Sequence, residues 1–256
     1  MTDPFDLTDQ VAVVVGGAAG GLGERAARIL SDRGAVVSIA DLPGREQELQ
    51  STATTCSGKT TVHTCDVTDE ASVAGLFAET VSASGRIDIV VNAAGVMLRK
   101  SYDETTVPEF RRVVDVNLLG AWLVGREAGR HMTSRAGGRI VNFSTVYAER
   151  VGPVPESAYY ASKAGVANIT RALAAELGPS GINVNCLAPG VFYPTAMTAP
   201  LKDQPERLQW FAERTMLGRL GDPDHDLAGP LLLLASPASS YMTGQVIYVD
   251  GGWSAW

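Results

Sequence analysis

Tyr159 and Lys163 stand four positions apart in the run Tyr159-Tyr160-Ala161-Ser162-Lys163, inside a stretch that reads as a long helix. Residues at i and i+4 share a helical face, so a phenol and an ammonium can reach one site. A cation beside a phenol favours the phenolate, and moving a tyrosine from about 10 towards neutrality takes roughly 4 kcal/mol of differential stabilisation. A tyrosine tuned in this way gives a proton to a carbonyl oxygen or, in reverse, takes one from an alcohol. Tyr and Lys share this spacing by chance in many helices, so the neighbouring elements must decide whether the pair does chemistry.

Two kinds of group could complete such a site. Gly138-Arg139-Ile140-Val141-Asn142-Phe143 reads as a strand that delivers Ser144 and Thr145 at its carboxyl end, where ligands bind in open α/β sheets. A hydroxyl there can hold a substrate oxygen. Asn117 lies in Asp115-Val116-Asn117-Leu118-Leu119-Gly120, a polar residue amid an apolar face of a helix expected from Val107 to His131. It is either a satisfied core amide or part of a local opening whose carbonyl is free for water. Pro108 suits the first turn of that helix.

The start of the chain supplies the elements that would hold a cofactor. Val11 to Val15 form a β-branched run suited to a strand covered on both faces, and Gly16-Gly17-Ala18-Ala19-Gly20-Gly21-Leu22-Gly23 follows it into a helix ending near Asp32. Glycines at 17, 21 and 23 permit a sharp turn and bring backbone N–H groups close to a phosphate. Strand Val36–Ala40 ends at Asp41, 18 residues after Gly23, where an acid meets the adenosine ribose and repels a 2′-phosphate. Neither Gly20 nor Leu42 offers a compensating cation, and Arg45 is the one basic residue close by, so NAD(H) is expected over NADP(H). A third strand, Thr60–Cys65, ends at Asp66-Val67, with Asp66 available to an adenine amino group. Asp69 reads as the N-cap of a helix running to Ser84. The fourth strand, Ile87–Val91, stops at Asn92-Ala93-Ala94-Gly95, whose small side chains let a flat ligand lie on the backbone. A sixth, Val184–Ala188, ends at Pro189-Gly190. The alternation of strand and helix predicts a parallel sheet.

Length and composition agree. The 256 residues suffice for one α/β domain, with 45% hydrophobic and 19% charged residues. A net charge of −7 argues against nucleic-acid or anionic-membrane partners. Cys56, Cys65 and Cys186 are too scattered for a disulfide framework or a zinc site, so no metal is expected. The opening Met1-Thr2-Asp3-Pro4-Phe5-Asp6 lacks the basic start and apolar core of a signal peptide, and no apolar run approaches membrane-spanning length. The expected compartment is the cytoplasm.

Taken together, the Gly17/Gly21/Gly23 turn, Asp66-Val67, Asn92-Ala93-Ala94-Gly95, Asn117, the strand-end hydroxyls, Tyr159 with Lys163, and Pro189-Gly190 resemble the short-chain dehydrogenase/reductase family. Gly244-Gln245-Val246-Ile247-Tyr248-Val249-Asp250-Gly251-Gly252 resembles its last strand and closing turn. The resemblance implies a single domain built on a doubly wound, mostly parallel, seven-stranded Rossmann-type sheet. It implies that Tyr159 exchanges a proton with the substrate oxygen, that Lys163 lowers the tyrosine pKa and binds the nicotinamide ribose, and that Asn117 holds a relay water. It implies cofactor contacts from Gly20, Leu22, Leu42, Val191 and Thr195, and a homotetramer. The family's catalytic serine position falls on Thr145; because the segment on to Tyr159 is one residue longer than the common spacing, a shifted register would place Ser144 there. Gly16 and Gly20 stand where the family usually carries side chains, and one extra residue precedes Thr195.

The segment from about 191 to 216 matches the family's variable, substrate-covering region. Val96, Val146, Tyr147, Phe192, Tyr193, Met197 and Trp210 are the expected pocket residues, with Met97, Trp253 and Trp256 as further candidates. Their apolar character predicts a hydrophobic aryl or cyclic secondary alcohol or ketone, while Glu149 or Glu156 could meet a cationic substrate group. The competing readings are an NADPH-dependent 3-ketoacyl thioester reductase and a non-catalytic NAD-binding sensor.

Overall fold

The computed structural model describes residues 3–133 and 137–255. Seven strands, β1 (Val11–Val15), β2 (Val36–Asp41), β3 (Thr60–Thr64), β4 (Ile89–Asn92), β5 (Gly138–Phe143), β6 (Ile182–Pro189) and β7 (Val246–Val249), form one sheet in the order β3-β2-β1-β4-β5-β6-β7. Every pairing is parallel. Between them run the helices α1 (Leu22–Asp32), α2 (Glu46–Thr55), α3 (Glu70–Ser84), α4 (Val107–Val114), α5 (Gly120–Thr133), α6 (Ser157–Leu177), α7 (Pro205–Ala212) and α8 (Ala228–Ala235).

The continuous apolar run of β1 has the covering it demands on both faces. Ala12 and Val14 pack into a core with Ala26, Leu30 and Leu49 of α1 and α2 and Leu231 and Leu234 of α8. Val13 and Val15 face the opposite core, built from Val73, Leu76 and Phe77 of α3 and Leu123, Val124 and Leu173 of α5 and α6. Successive strand side chains point to opposite faces, so a β-branched run buries itself twice. The strand order reverses direction between β1 and β4, and the crevice above their carboxyl ends is where this topology binds ligands.

The sequence predicts one helix from Val107 to His131, and the structure divides it. Thr106 and Glu109 form a reciprocal capping box at its start, with Pro108 in the first turn. At Asp115–Leu119 the coil widens into a π turn, closed by a bond from the Gly120 N–H to the Asp115 carbonyl. The Asn117 amide spans elements: Oδ1 accepts from Val96 N at 2.8 Å, and Nδ2 donates to the Val96 carbonyl and to Ser162 Oγ, both at 2.9 Å. Three tertiary bonds to one side chain, 1% exposed, fix the helix at a position that a regular α-turn does not reach, which is the circumstance in which π turns persist.

Helix α6 buries a stripe made of Tyr159, Ser162, Lys163, Val166, Thr170 and Leu173, at the three-and-four spacing of a core-facing helix. The phenol and ammonium occupy positions that hold apolar or hydrogen-bonded residues further along. No helix among the described residues is long and apolar enough to cross a membrane.

Candidate active site

A cleft of about 1050 Å³ opens at the carboxyl ends of β1, β4, β5 and β6. Its size is at the upper end for small-molecule sites.

At the β5 end two neighbouring hydroxyls diverge. Ser144 Oγ donates to the Lys163 carbonyl at 2.7 Å, tying the strand to α6. Thr145 is in extended backbone geometry, which directs its side chain the other way, and its hydroxyl lies near enough to the Tyr159 phenol to favour the phenolate. The two registers left open by the sequence therefore differ in geometry, and it is Thr145 that meets the tyrosine.

Tyr159 is 5% exposed and Lys163 4%. Burial raises the Tyr159 pKa above its ordinary value, opposed by the neighbouring Thr145 hydroxyl and by the charge of Arg99, while Glu156 adds to the rise. Lys163 donates to the Phe143 carbonyl at 2.8 Å, and its Nζ lies 6.0 Å from the Tyr159 ring centre. Burial pulls its pKa down from 10.5 to about 8. The sequence assigns the stabilisation of the phenolate to Lys163; Thr145 and Arg99 are further groups that favour it.

The opposite end is shaped for a dinucleotide. Gly16 has φ +81°, and a Cβ there would lie 2.6 Å from the Ala94 nitrogen, while a Cβ on Gly23 would overlap the Gly16 carbonyl. Both loops thus approach backbone to backbone, leaving a cradle that side chains would fill. Asp41 accepts a hydrogen bond from the Ala18 N–H at 3.1 Å, and Arg45 lies 3.6 Å from its carboxylate. Asp66 Oδ1 accepts from the N–H and hydroxyl of Thr68.

Of the residues expected to bind cofactor, Gly21, Leu22, Gly23, Asp41, Leu42, Asp66, Val67, Ala93, Ala94, Gly95, Pro189, Gly190, Val191 and Thr195 line the cleft, as do Ser144, Thr145, Tyr159 and Lys163. Gly17, Gly20 and Asn92 do not. Gly17 backs onto Ile39, the Gly20 N–H is taken by Glu24 at 2.6 Å, and buried Asn92 turns its amide oxygen back to the Ala94 N–H. Asn117 lies one layer behind the cleft, bracing the loop after β4.

Among the expected pocket residues, Val96, Met97, Val146, Tyr147, Phe192 and Met197 line the cleft, whereas Tyr193 and Trp210 do not. The Tyr193 N–H bonds the Gly221 carbonyl, holding it on the outer loop. Trp210 packs outward against Trp253 and under the Arg214 guanidinium, 3.3 Å from its ring centre, while its neighbour Phe211 faces the cleft. Trp253 meets the back of Tyr147, and Trp256 lies outside the described residues. Neither glutamate serves a cationic ligand: exposed Glu149 pairs with Arg171 and is not in the cleft wall, and buried Glu156 is taken by Arg99 at 2.7 Å. Sequence reasoning missed Arg99 as a wall residue, since nothing local links it to a carboxylate 57 positions away.

The description of the matching family model is enoyl-(acyl carrier protein) reductase, and residues 17–254 are matched. The chain is 38% identical to cis-4-hydroxycyclohexanecarboxylate dehydrogenase of Sinomonas cyclohexanicum, covering 97% of this chain and 98% of that enzyme. It is 36% identical to the galactitol 2-dehydrogenase (L-tagatose-forming) of Cereibacter sphaeroides, covering 97% and 96%. A gluconate 5-dehydrogenase from Burkholderia cenocepacia, solved in complex with NADP and tartrate, superposes with a TM-score of 0.91 at 31% identity, covering 99% and 98%. On this sequence, this sheet order and these relatives, the chain belongs to the short-chain dehydrogenase/reductase family.

Proposed function

We propose that the protein transfers hydride between NAD(H) and a cyclic or aryl secondary alcohol or ketone, with Tyr159 as its general acid and base. Family membership makes the chain an oxidoreductase of CH–OH groups that uses a nicotinamide cofactor; the choice of NAD(H), the substrate and the residue roles are the proposal. The observation that carries it is the meeting of Thr145, Tyr159 and Lys163 in the wall of a cleft whose other end is the backbone cradle of Gly16 and Gly23.

When bound, the nicotinamide supplies the hydride or accepts it. The chain does the rest. Thr145 holds the reacting oxygen beside the Tyr159 phenol, which donates its proton in reduction and recovers one in oxidation. Lys163, anchored on Phe143, brings positive charge under the site, and Asn117 fixes the Val96 backbone that walls it. Apolar Val96, Met97, Val146 and Phe192 keep water from the reacting carbon.

The preference for NAD(H) rests on the Asp41 carboxylate, which suits two ribose hydroxyls and opposes a phosphate. Arg45, also in the cleft wall and 3.6 Å from Asp41, favours the second reading, in which NADP(H) is accepted. A cyclic substrate agrees with the name of the Sinomonas relative. The half-exposed Phe110, Leu119 and Trp122 support the homotetramer proposed for this chain, by offering apolar surface on α4, the π turn and α5.

The test follows nicotinamide absorbance with NADH or NADPH against cyclohexanone, an aryl ketone and a 3-ketoacyl thioester, in the wild type and Tyr159→Phe. The expected result is turnover of a ring ketone with NADH, lowered roughly 10²- to 10⁴-fold in the variant with NADH binding intact. Preferred use of NADPH with the thioester would overturn both the Asp41 argument and the substrate class.

A further inference from the structure

We propose that the substrate carries a carboxylate and that Arg99, held by Glu156, receives it. This deepens the dehydrogenase reading and rests on it for the position of the reacting carbon.

The wall around the Tyr159 end of the cleft is mainly apolar, yet it contains an ion pair. Arg99 Nε meets Glu156 Oε1 at 2.7 Å, and Glu156 is 4% exposed. Glu156 is the buried member and Arg99 keeps a third of its side chain exposed; taking a carboxylate out of water costs free energy that one ion pair only partly offsets, so its presence in this wall asks for a use. The pairing is side-on. Glu156 engages Nε alone, and neither terminal guanidinium nitrogen has a hydrogen-bond partner among the described residues. That leaves the two-pronged edge of Arg99, the edge that matches a carboxylate, unclaimed beside a cleft that it lines.

Position and charge point the same way. Arg99 is bonded to Glu156, the N-cap of α6 three residues before Tyr159, and both Arg99 and Tyr159 line the cleft, so an anion bound to Arg99 would sit within one small molecule of the proton donor. Arg111 and Arg112 line the same cleft, whose five cations (Arg45, Arg99, Arg111, Arg112 and Lys163) outnumber its four acids (Asp41, Asp66, Asp115 and Glu156) by one. A positive rim raises the local concentration of anions. Tyr147, in the same wall, has a buried hydroxyl without a partner among the described residues, a second donor that a ligand oxygen would satisfy. Glu156 acts through Arg99 and is a positioning residue.

The experiment is calorimetric titration of the NAD⁺-saturated protein with cyclohexanecarboxylate and, separately, cyclohexanecarboxamide, which has nearly the same shape and no charge. Charge-assisted hydrogen bonds contribute about 1.5–3 kcal/mol, so the wild type is expected to bind the acid roughly 10- to 100-fold more tightly than the amide. Arg99→Gln should erase that ratio while leaving amide affinity within about twofold, and Arg99→Lys, which keeps the charge without the fork, should fall between. Equal binding of acid and amide by the wild type, failure of either to bind, or an unchanged ratio in Arg99→Gln overturns the proposal. Should Arg99→Gln fail to retain NADH binding, the wild-type ratio and Arg99→Lys decide. Binding requires no turnover, so a protein that prefers the acid but reduces no ketone refutes the dehydrogenase reading alone, and one that reduces cyclohexanone but ignores the acid refutes the carboxylate alone.

Discussion

Replacing Lys163 with methionine should make the protein more stable while removing its activity, and the gain should vanish as pH rises. Burial depresses the Lys163 pKa from 10.5 to about 8, a difference of about 2.5 units, equivalent to roughly 3 kcal/mol. The sign follows from proton binding. Below pH 8 both folded and unfolded chains carry the proton, and the folded state bears the full cost of burying the charge. Between pH 8 and 10.5 the unfolded chain binds more protons than the folded one, so stability rises with pH across that window. Methionine keeps the stem without the charge and leaves the Phe143 carbonyl without its donor, a loss of about 1 kcal/mol. The expected net gain at pH 7 is therefore about 2 kcal/mol, or some 4–8 °C in Tm for a domain of this size. At pH 10 only about 1 kcal/mol of the burial cost remains in the wild type by the same linkage relation, and the two proteins should melt together. The assay is thermal melting of both proteins at fixed concentration from pH 7 to 10. A difference that is constant across that range, or a variant less stable at pH 7, would refute the argument that Lys163 is held charged at an energetic cost to the fold.

Two further outcomes test the site's geometry. Thr145→Val should lower kcat about 10²-fold, because it removes the hydroxyl that meets the phenol, whereas Ser144→Ala should cost about 1 kcal/mol of stability through the lost bond to the Lys163 carbonyl with a far smaller effect on kcat; steady-state kinetics and melting of the pair separate the roles. Gly23→Ala should weaken NADH binding at least tenfold by fluorescence titration, since its Cβ overlaps the Gly16 carbonyl and must open the backbone cradle by about 1–3 kcal/mol of strain.

How far such a site can be read in advance depends on the range of the forces that build it. The strands of this chain are written locally: Val11–Val15 needs two covering layers wherever it is placed, and α1 and α3 start close to where the glycine turn and the Asp69 cap put them. Tyr159 and Lys163 are legible because four residues of helix bring them to one face. Trp210 and Phe211 show where this reasoning ends. Adjacent helical residues point about 100° apart, and periodicity alone does not say which of two aromatics faces the cleft; the packing of Trp253 and Arg214 on Trp210 decides it.

The π turn at Asp115–Leu119, which the sequence offers only as one of two readings of Asn117, and the Arg99–Glu156 pair, which it does not show, share a cause: each is made by contacts between distant segments that compete with local preference. Asn117 has an ordinary helical sequence around it, and an α-helix would satisfy every backbone group there. What widens the coil is one amide that bonds both backbone groups of Val96 and the Ser162 hydroxyl of α6. That same amide joins the loop after β4 to the helix that carries Tyr159 and Lys163, so the irregular turn and the regular stripe position one cleft between them. A change that restored a plain α-turn would shift Asn117 off Val96, and the wall facing the substrate would move with it. In this protein the departure from local preference occurs where two elements must be held in register for chemistry, while the rest of the chain follows the structure its own residues favour.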